Sequence, residues 1–271
     1  GAMFPIAKIT TESMSPLLLA ASAMLIGSVS VVPLSGRLKK PSRLVIVISA
    51  SGAVAAPLLF YFGIQFTTAA NAALVSNSEE ILTVLMAVII FKERINKYGI
   101  VGVILIAIGI FVTTFRWDQI SNPFSLGDLI LISAAIFFAF DNNLSRIAVR
   151  KLRIVDLILI KYLIGGGVLM IVTIVANTPT HIEWFGLIVI GIGVYAINPW
   201  FLYKSLKEGG SAVLTAVIFS TSNIFALLFS YLILQEDVQY DKLLLAASLI
   251  LLGIYVYNKY LPSPSIKIPK G

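Results

Sequence analysis

Nine apolar segments of membrane-crossing length and one shorter apolar stretch follow one another with barely a loop between them, and the second half of the chain repeats the first. Pro57 and Tyr61 lie in one segment, and Pro199 and Tyr203 lie in another 142 residues on. Glu93 recurs as Glu236 at an offset of 143, and Gly109 as Gly253 at an offset of 144. Small loop insertions account for that drift. A duplicated set of spans with a proline break at matching places is the pattern of a carrier built from two repeats.

The spans are predicted at about 16–35, 43–63, 69–91, 98–115, 126–146, 155–175, 184–204, 212–234 and 242–260. Each is close to the length a helix needs to cross about 30 Å of hydrocarbon. Helices are expected over strands because a helix satisfies its backbone groups within the segment. By the repeat, residues 1–9 correspond to the end of the sixth span, so the first helix is expected to be only partly present. The expected fold is therefore all-α and polytopic, with ten transmembrane helices in two inverted five-helix repeats. The first repeat covers 1–115, a linker 116–125, the second repeat 126–260 and a polar tail 261–271.

Charge sets the expected topology. Only 12% of the residues are charged against 58% hydrophobic, and the net charge of +7 comes from basic residues gathered in alternate short loops. Those loops hold Arg37, Lys39, Lys40 and Arg43, then Lys92, Arg94 and Lys97, then Arg146, Arg150, Lys151 and Arg153, then Lys204 and Lys207. The positive-inside rule puts them in the cytoplasm, with both termini, in a multi-pass protein of the cell membrane. This is a topology signal, so no nucleic-acid partner is expected. The chain has no cysteine, which excludes a disulfide framework and a thiolate metal site. The single histidine, His181, lies in an outer loop, so no metal site is expected. No cleavable signal peptide is visible at the start.

At this point the residues carry a family resemblance. The run Gly63 to Leu74, the loop Phe91, Lys92, Glu93, Arg94 and the glycines Gly99 and Gly109 resemble the EamA-type repeat of the drug/metabolite transporter superfamily. A second copy runs through Ser205 to Leu214, Leu234 to Val238 and Gly253, and Gly127 and Asp128 open the second repeat. Asp128 reads as an N-terminal cap. The resemblance implies ten helices around a central cavity lined mainly by helices 1, 3, 4, 6, 8 and 9. It implies transport of amino acids, nucleotide sugars, sugar phosphates or drugs. Two features depart from the family. Glu79 and Glu80 stand where members often have a proline, with Ser222 and Asn223 at the equivalent place in the ninth helix, and no arginine occurs near Ala23.

The candidate site follows from polar groups in spans. A charge at the bilayer centre costs about 2.5–3.5 kcal/mol on insertion scales, so Glu79 and Glu80 are expected to face a cavity or a partner. Consecutive positions differ by about 100°, so both can border one wide cavity. Glu79 is expected to share a face with Asn71 and Val75, and Glu80 with Asn77 and Thr83. Asp141 is expected nearer the cytoplasmic end of the cavity, alternatively as an interfacial residue leading to Arg146. Lys161, two turns into its span, either pairs with a carboxylate or, the reading favoured by its position, snorkels to the headgroups. Pro57 and Pro199 each remove a helical N–H and free a carbonyl, on Ala53 and Tyr195, with a role in gating or in lining the cavity. Tyr195, Asn198, Trp200 and Asn223 complete the expected substrate-binding set. Gly165, Gly166 and Gly167 are expected to allow close helix approach.

No phosphate loop, nucleophile elbow or zinc motif occurs, so an enzyme is not expected, nor a cofactor. The reading is a secondary transporter of small polar metabolites, amino acids or related zwitterions, working by alternating access. The alternative is a proton-coupled exporter of cationic or amphipathic drugs, and a channel comes third. Partners expected are a small-molecule substrate, the lipid bilayer and protons as coupling ion, for a monomer or homodimer.

Overall fold

The structure, a computed structural model, describes residues 2–36, 40–76, 78–90, 96–114, 125–178, 181–208, 225, 229, 231–234 and 240–259. The expected span 212–234 and Asn77, Glu93, Ser222, Asn223 and Glu236 lie wholly or mostly outside those residues. Among the described residues the fold is helical, without strands. The helices are α1 (Met3–Ser13), α2 (Pro16–Ser30), α3 (Arg43–Ser49), α4 (Ala56–Gly63), α5 (Ala69–Val75), α6 (Ser78–Ile89), α7 (Lys97–Thr114), α8 (Leu126–Ala148), α9 (Ile154–Val175), α10 (Trp184–Ile192), α11 (Asn198–Lys207) and α12 (Tyr240–Lys259). The chain is an all-α, polytopic membrane protein with two repeats. Among the described residues, six stretches are long and apolar enough to cross a membrane: Pro16–Leu34, Arg43–Phe66, Asn71–Ile89, Leu126–Ala148, Ile154–Val175 and Trp184–Lys207.

Polar residues at the helix ends set the boundaries. Ser15 caps α2 by accepting from Leu18 N–H at 3.1 Å, with Pro16 in the first turn, where its missing N–H costs nothing. Ser125 and Asp128 form a reciprocal capping box at the start of α8. Asp128 thus acts at the third helical position, while the cap itself is Ser125. Its Oδ1 also accepts from Asn71 Nδ2 at 2.6 Å and from Thr67 Oγ1 at 3.2 Å, fastening the start of α5 to the start of α8. At the end of α9, Asn177 adopts a left-handed φ of 47°. Thr178 N–H reaches Thr173 C=O and Asn177 N–H reaches Ile174 C=O, so two orphan carbonyls are satisfied. Lys8 reads from sequence as an exposed residue, but its Nζ donates to the carbonyls of Ile64, Gln65 and Thr67 at 2.8–3.2 Å. A cation at those carbonyls complements the helix dipole.

The core runs around α2, whose Leu19, Ala20, Ala21, Ala23 and Met24 are fully buried. α2 packs along α9, α10 and α4, with small residues letting backbones approach. A Cβ on Gly165 would collide with Ala53, and one on Gly166 with Ala21 and Leu25, whereas Gly167 faces open space. Two of the three glycines therefore serve helix approach as the sequence indicates. α7 and α12 pair with each other in the same way. A side chain on Gly109 would strike Ala246 and Ile250 of α12, and one on Gly253 would strike Gly102 and Ile106 of α7.

Candidate functional site

The two proline-containing spans share a defect. α3 runs into α4 through a wide turn over Ala50–Ala55, and α10 runs into α11 through another over Gly193–Ile197. In the first, Ala56 N–H donates to Ser51 C=O, and in the second, Asn198 N–H donates to Gly193 C=O. Both bonds span five residues, and donor and acceptor in the two halves are offset by 142, like the prolines. Proline at the next position has no N–H to give to the carbonyl four residues back, so the ladder widens by one residue there. The carbonyl of Ala53 was expected to line a pocket. It lies instead against Gly165 of α9, where close packing covers it.

These wide turns flank a cavity of about 200 Å³. Glu79, Glu80 and Thr83 of α6, Asp141 and Asn142 of α8, Lys161 and Tyr162 of α9, Tyr195 beside Asn198 and Pro199, Tyr203, and Gly52 all line it. Phe4, Phe60, Leu131 and Phe138 supply apolar wall.

At its centre Lys161 Nζ sits 2.5 Å from Asp141 Oδ2 and 2.9 Å from Tyr203 Oη. Ser145 Oγ, one turn along α8, donates to Asp141 Oδ1 at 3.2 Å. Asp141 and Lys161 are 3% and 2% exposed. This corrects one expectation: Lys161 does not snorkel to the headgroups but pairs with Asp141 in the interior, beside the cavity where Asp141 is expected. Gly52, in the first wide turn, lies against the Asp141 carboxylate, and any Cβ there would overlap it.

Glu79 and Glu80 lie at the start of α6. α5 ends at Val75 and α6 begins at Ser78, with Asn77 between them outside the described residues. Asn71 is engaged with Asp128 and Thr67. Glu79 Oε1 accepts from Asn142 Nδ2 at 2.7 Å. Glu80 Oε2 is buried and has no hydrogen-bond partner.

Tyr195 donates to Tyr61 Oη at 3.2 Å and stacks edge-on against Tyr162 with ring centroids 5.0 Å apart. Asn198 is exposed and borders the cavity. Pro199 lines it, and Pro57 is buried behind the first wide turn. Trp200 was expected in the binding set, but it packs on Phe201, with Lys204 Nζ 5.0 Å from its ring, and does not line the cavity. Sequence reasoning missed Gly52, Ser145 and Tyr162, and it does not pair Tyr203 with Lys161. One signal was available: Ala134, Phe138, Asp141 and Ser145 recur at helical spacing, so a second polar group one turn from Asp141 marks a polar inner face.

A helical bundle with two repeats, wide turns at the matching prolines and a charged cavity beside them defines a multi-pass membrane transporter. The EamA-like transporter family model matches residues 1–115 and 125–259, and the chain belongs to that family. It is 30% identical over 208 residues to an uncharacterized transporter of Methanothermobacter thermautotrophicus, covering 74% of this chain and 60% of that one. It is 24% identical over 287 residues to the uncharacterized transporter YyaM of Bacillus subtilis, covering 100% of this chain and 92% of that one. A solved structure, described only as the crystal structure of a protein, superposes with a TM-score of 0.76 at 18% identity, covering 95% of this chain and 93% of the other. At that identity the likeness carries the fold.

Proposed function

We propose that this transporter moves small zwitterionic metabolites, amino acids first among them, across the cell membrane by alternating access. The observation that carries the reading is the presence of both signs of charge on one small cavity. Glu79, held by Asn142, suits a substrate amine. Lys161 has three N–H groups, of which Asp141 and Tyr203 take two, so the third suits a substrate carboxylate. Phe60, Leu131 and Phe138 suit an apolar side chain. The two matching wide turns supply places where the spans can flex around the site.

The second reading is a proton-driven exporter of cationic or amphipathic drugs. Three carboxyl groups against one ammonium on the cavity wall favour it. Size opposes it: about 200 Å³ is below the roughly 300–1,000 Å³ typical of drug-sized sites.

A stabilisation screen of the purified protein tests the choice, because a ligand of the folded state raises apparent stability by mass action. Amino acids are expected to stabilise it, whereas sugars, nucleotides and cationic drugs are not. Stabilisation by cationic drugs alone would replace the first reading with the second.

A further inference from the structure

Four buried side-chain atoms among the described residues have no hydrogen-bond partner, and all four are oxygens: Ser78 Oγ, Glu80 Oε2, Thr83 Oγ1 and Asn143 Oδ1. Such atoms are costly to bury and call for a partner. Three of them belong to one place. Glu80 and Thr83 are three residues apart on α6 and so share a face, and both border the cavity. Asn143 comes across from α8. Its Nδ2 donates to Thr83 C=O at 3.1 Å and to Ala139 C=O at 2.9 Å. Two acceptors on the nitrogen fix the orientation of the amide, so the unpartnered atom is its oxygen. Thr83 and Asn143 are each only 2% exposed. Ser78 is about 160° around α6 from Glu80, at about 100° per residue, and stands apart from this group.

Charge gives an independent argument. The cavity wall carries Glu79, Glu80 and Asp141 but only one basic group, Lys161, which is paired with Asp141. Among the acids on the wall, Glu80 is the one that has no protein partner on one oxygen.

From this we infer that Glu80, Thr83 and Asn143 form a sodium site on the seam between α6 and α8, beside the cavity, and that its ion moves with the substrate. The inference rests on the carrier reading above. A carboxylate, a hydroxyl and an amide oxygen are the ligands that hard cations take. One carboxylate in the group suits a single positive charge.

The test uses the purified full chain at fixed pH and ionic strength, with sodium chloride exchanged for potassium or choline chloride. Sodium is expected to raise thermal stability saturably, and the other two are not. Thr83→Val keeps the shape and removes the oxygen, and it should weaken apparent sodium affinity about tenfold or more, the cost of one bond to a charge. Thr83→Ser keeps the oxygen and should retain sodium stabilisation. Asn143→Leu removes the amide oxygen and should likewise weaken sodium stabilisation. In proteoliposomes an inward sodium gradient should drive accumulation of the stabilising amino acid. Equal stabilisation by all three salts, or uptake that follows a pH gradient and ignores sodium, overturns the site. If sodium stabilises the protein and no amino acid does, the ion site stands and the substrate reading falls. If an amino acid stabilises and sodium does not, the reverse holds.

Discussion

Replacing Lys161 with Met removes the ammonium that holds Asp141 while keeping most of the side-chain volume. In the parent, Asp141 has Lys161 at 2.5 Å and Ser145 at 3.2 Å, and Lys161 also holds Tyr203 at 2.9 Å. After the change the carboxylate keeps only the Ser145 hydroxyl. Leaving one partner of a buried pair alone costs about 3–5 kcal/mol, because the survivor is desolvated without compensation. Asp141→Asn strands the ammonium, though Tyr203 still accepts from it, so a loss at the lower end, about 3 kcal/mol, is expected. The double variant Asp141→Asn with Lys161→Met removes both charges together. It should be more stable than either single variant, giving a coupling of about 2 kcal/mol or more between the sites. Equilibrium unfolding in mixed micelles with rising SDS fraction, followed by tryptophan fluorescence, is the assay, since thermal scans of such proteins report rates. Losses below about 1 kcal/mol for the Lys161 variant, or additive losses in the double variant, would refute the reasoning.

Further outcomes follow from the same geometry. Gly52→Ala places a methyl group on the Asp141 carboxylate and should cost about 1–3 kcal/mol, whereas Gly193→Ala in the other wide turn meets open space and should stay within about 1 kcal/mol of the parent; the same unfolding titration reads both. Glu79→Gln and Glu80→Gln, assayed separately in proteoliposomes, should each lower uptake, with the Glu79 change acting on substrate affinity and the Glu80 change on the coupling ion; parent-like uptake in both would remove these carboxyls from the site. Asp128→Ala loses the capping box and the acceptor for Asn71 and Thr67, and should destabilise by about 0.5–2 kcal/mol. A cysteine at Ser42, in a chain that has no other cysteine, should be labelled by an impermeant reagent only from the cytoplasmic side.

Much of the architecture is legible because a bilayer leaves so few options. Long apolar runs must be helices there, and the proline offset of 142 identifies the matching breaks. The caps at Ser15, Ser125 and Asp128 are local and could be read from a few residues. The site was harder, because it depends on who meets whom. Nothing local distinguishes a lysine that reaches the headgroups from one that meets an aspartate 20 residues earlier. The stretch from Ala69 to Ile89 scans as one continuous apolar run, so the diversion of Asn71 to Asp128 is a tertiary outcome. Trp200 misled because its neighbours are set by tertiary packing on Phe201 and Lys204, which the sequence near the proline does not reveal. Gly52 carries no side chain to attract notice, and its part is to leave room.

The glycine seam between α7 and α12 has a mechanical consequence. Gly109 seats Ile250 and the Ala246 carbonyl of α12 against its bare backbone, and Gly253 seats Ile106 and the Gly102 carbonyl of α7. Each glycine is a notch that the facing helix fills. Notch and filling act as a dovetail, which resists both separation and sliding. One helix belongs to each repeat, so the two halves are joined at that edge as boards are joined along a hinge line. Under the alternating-access reading proposed above, the two halves turn about this joint, and a side chain added at either glycine would pry the joint open rather than stiffen it.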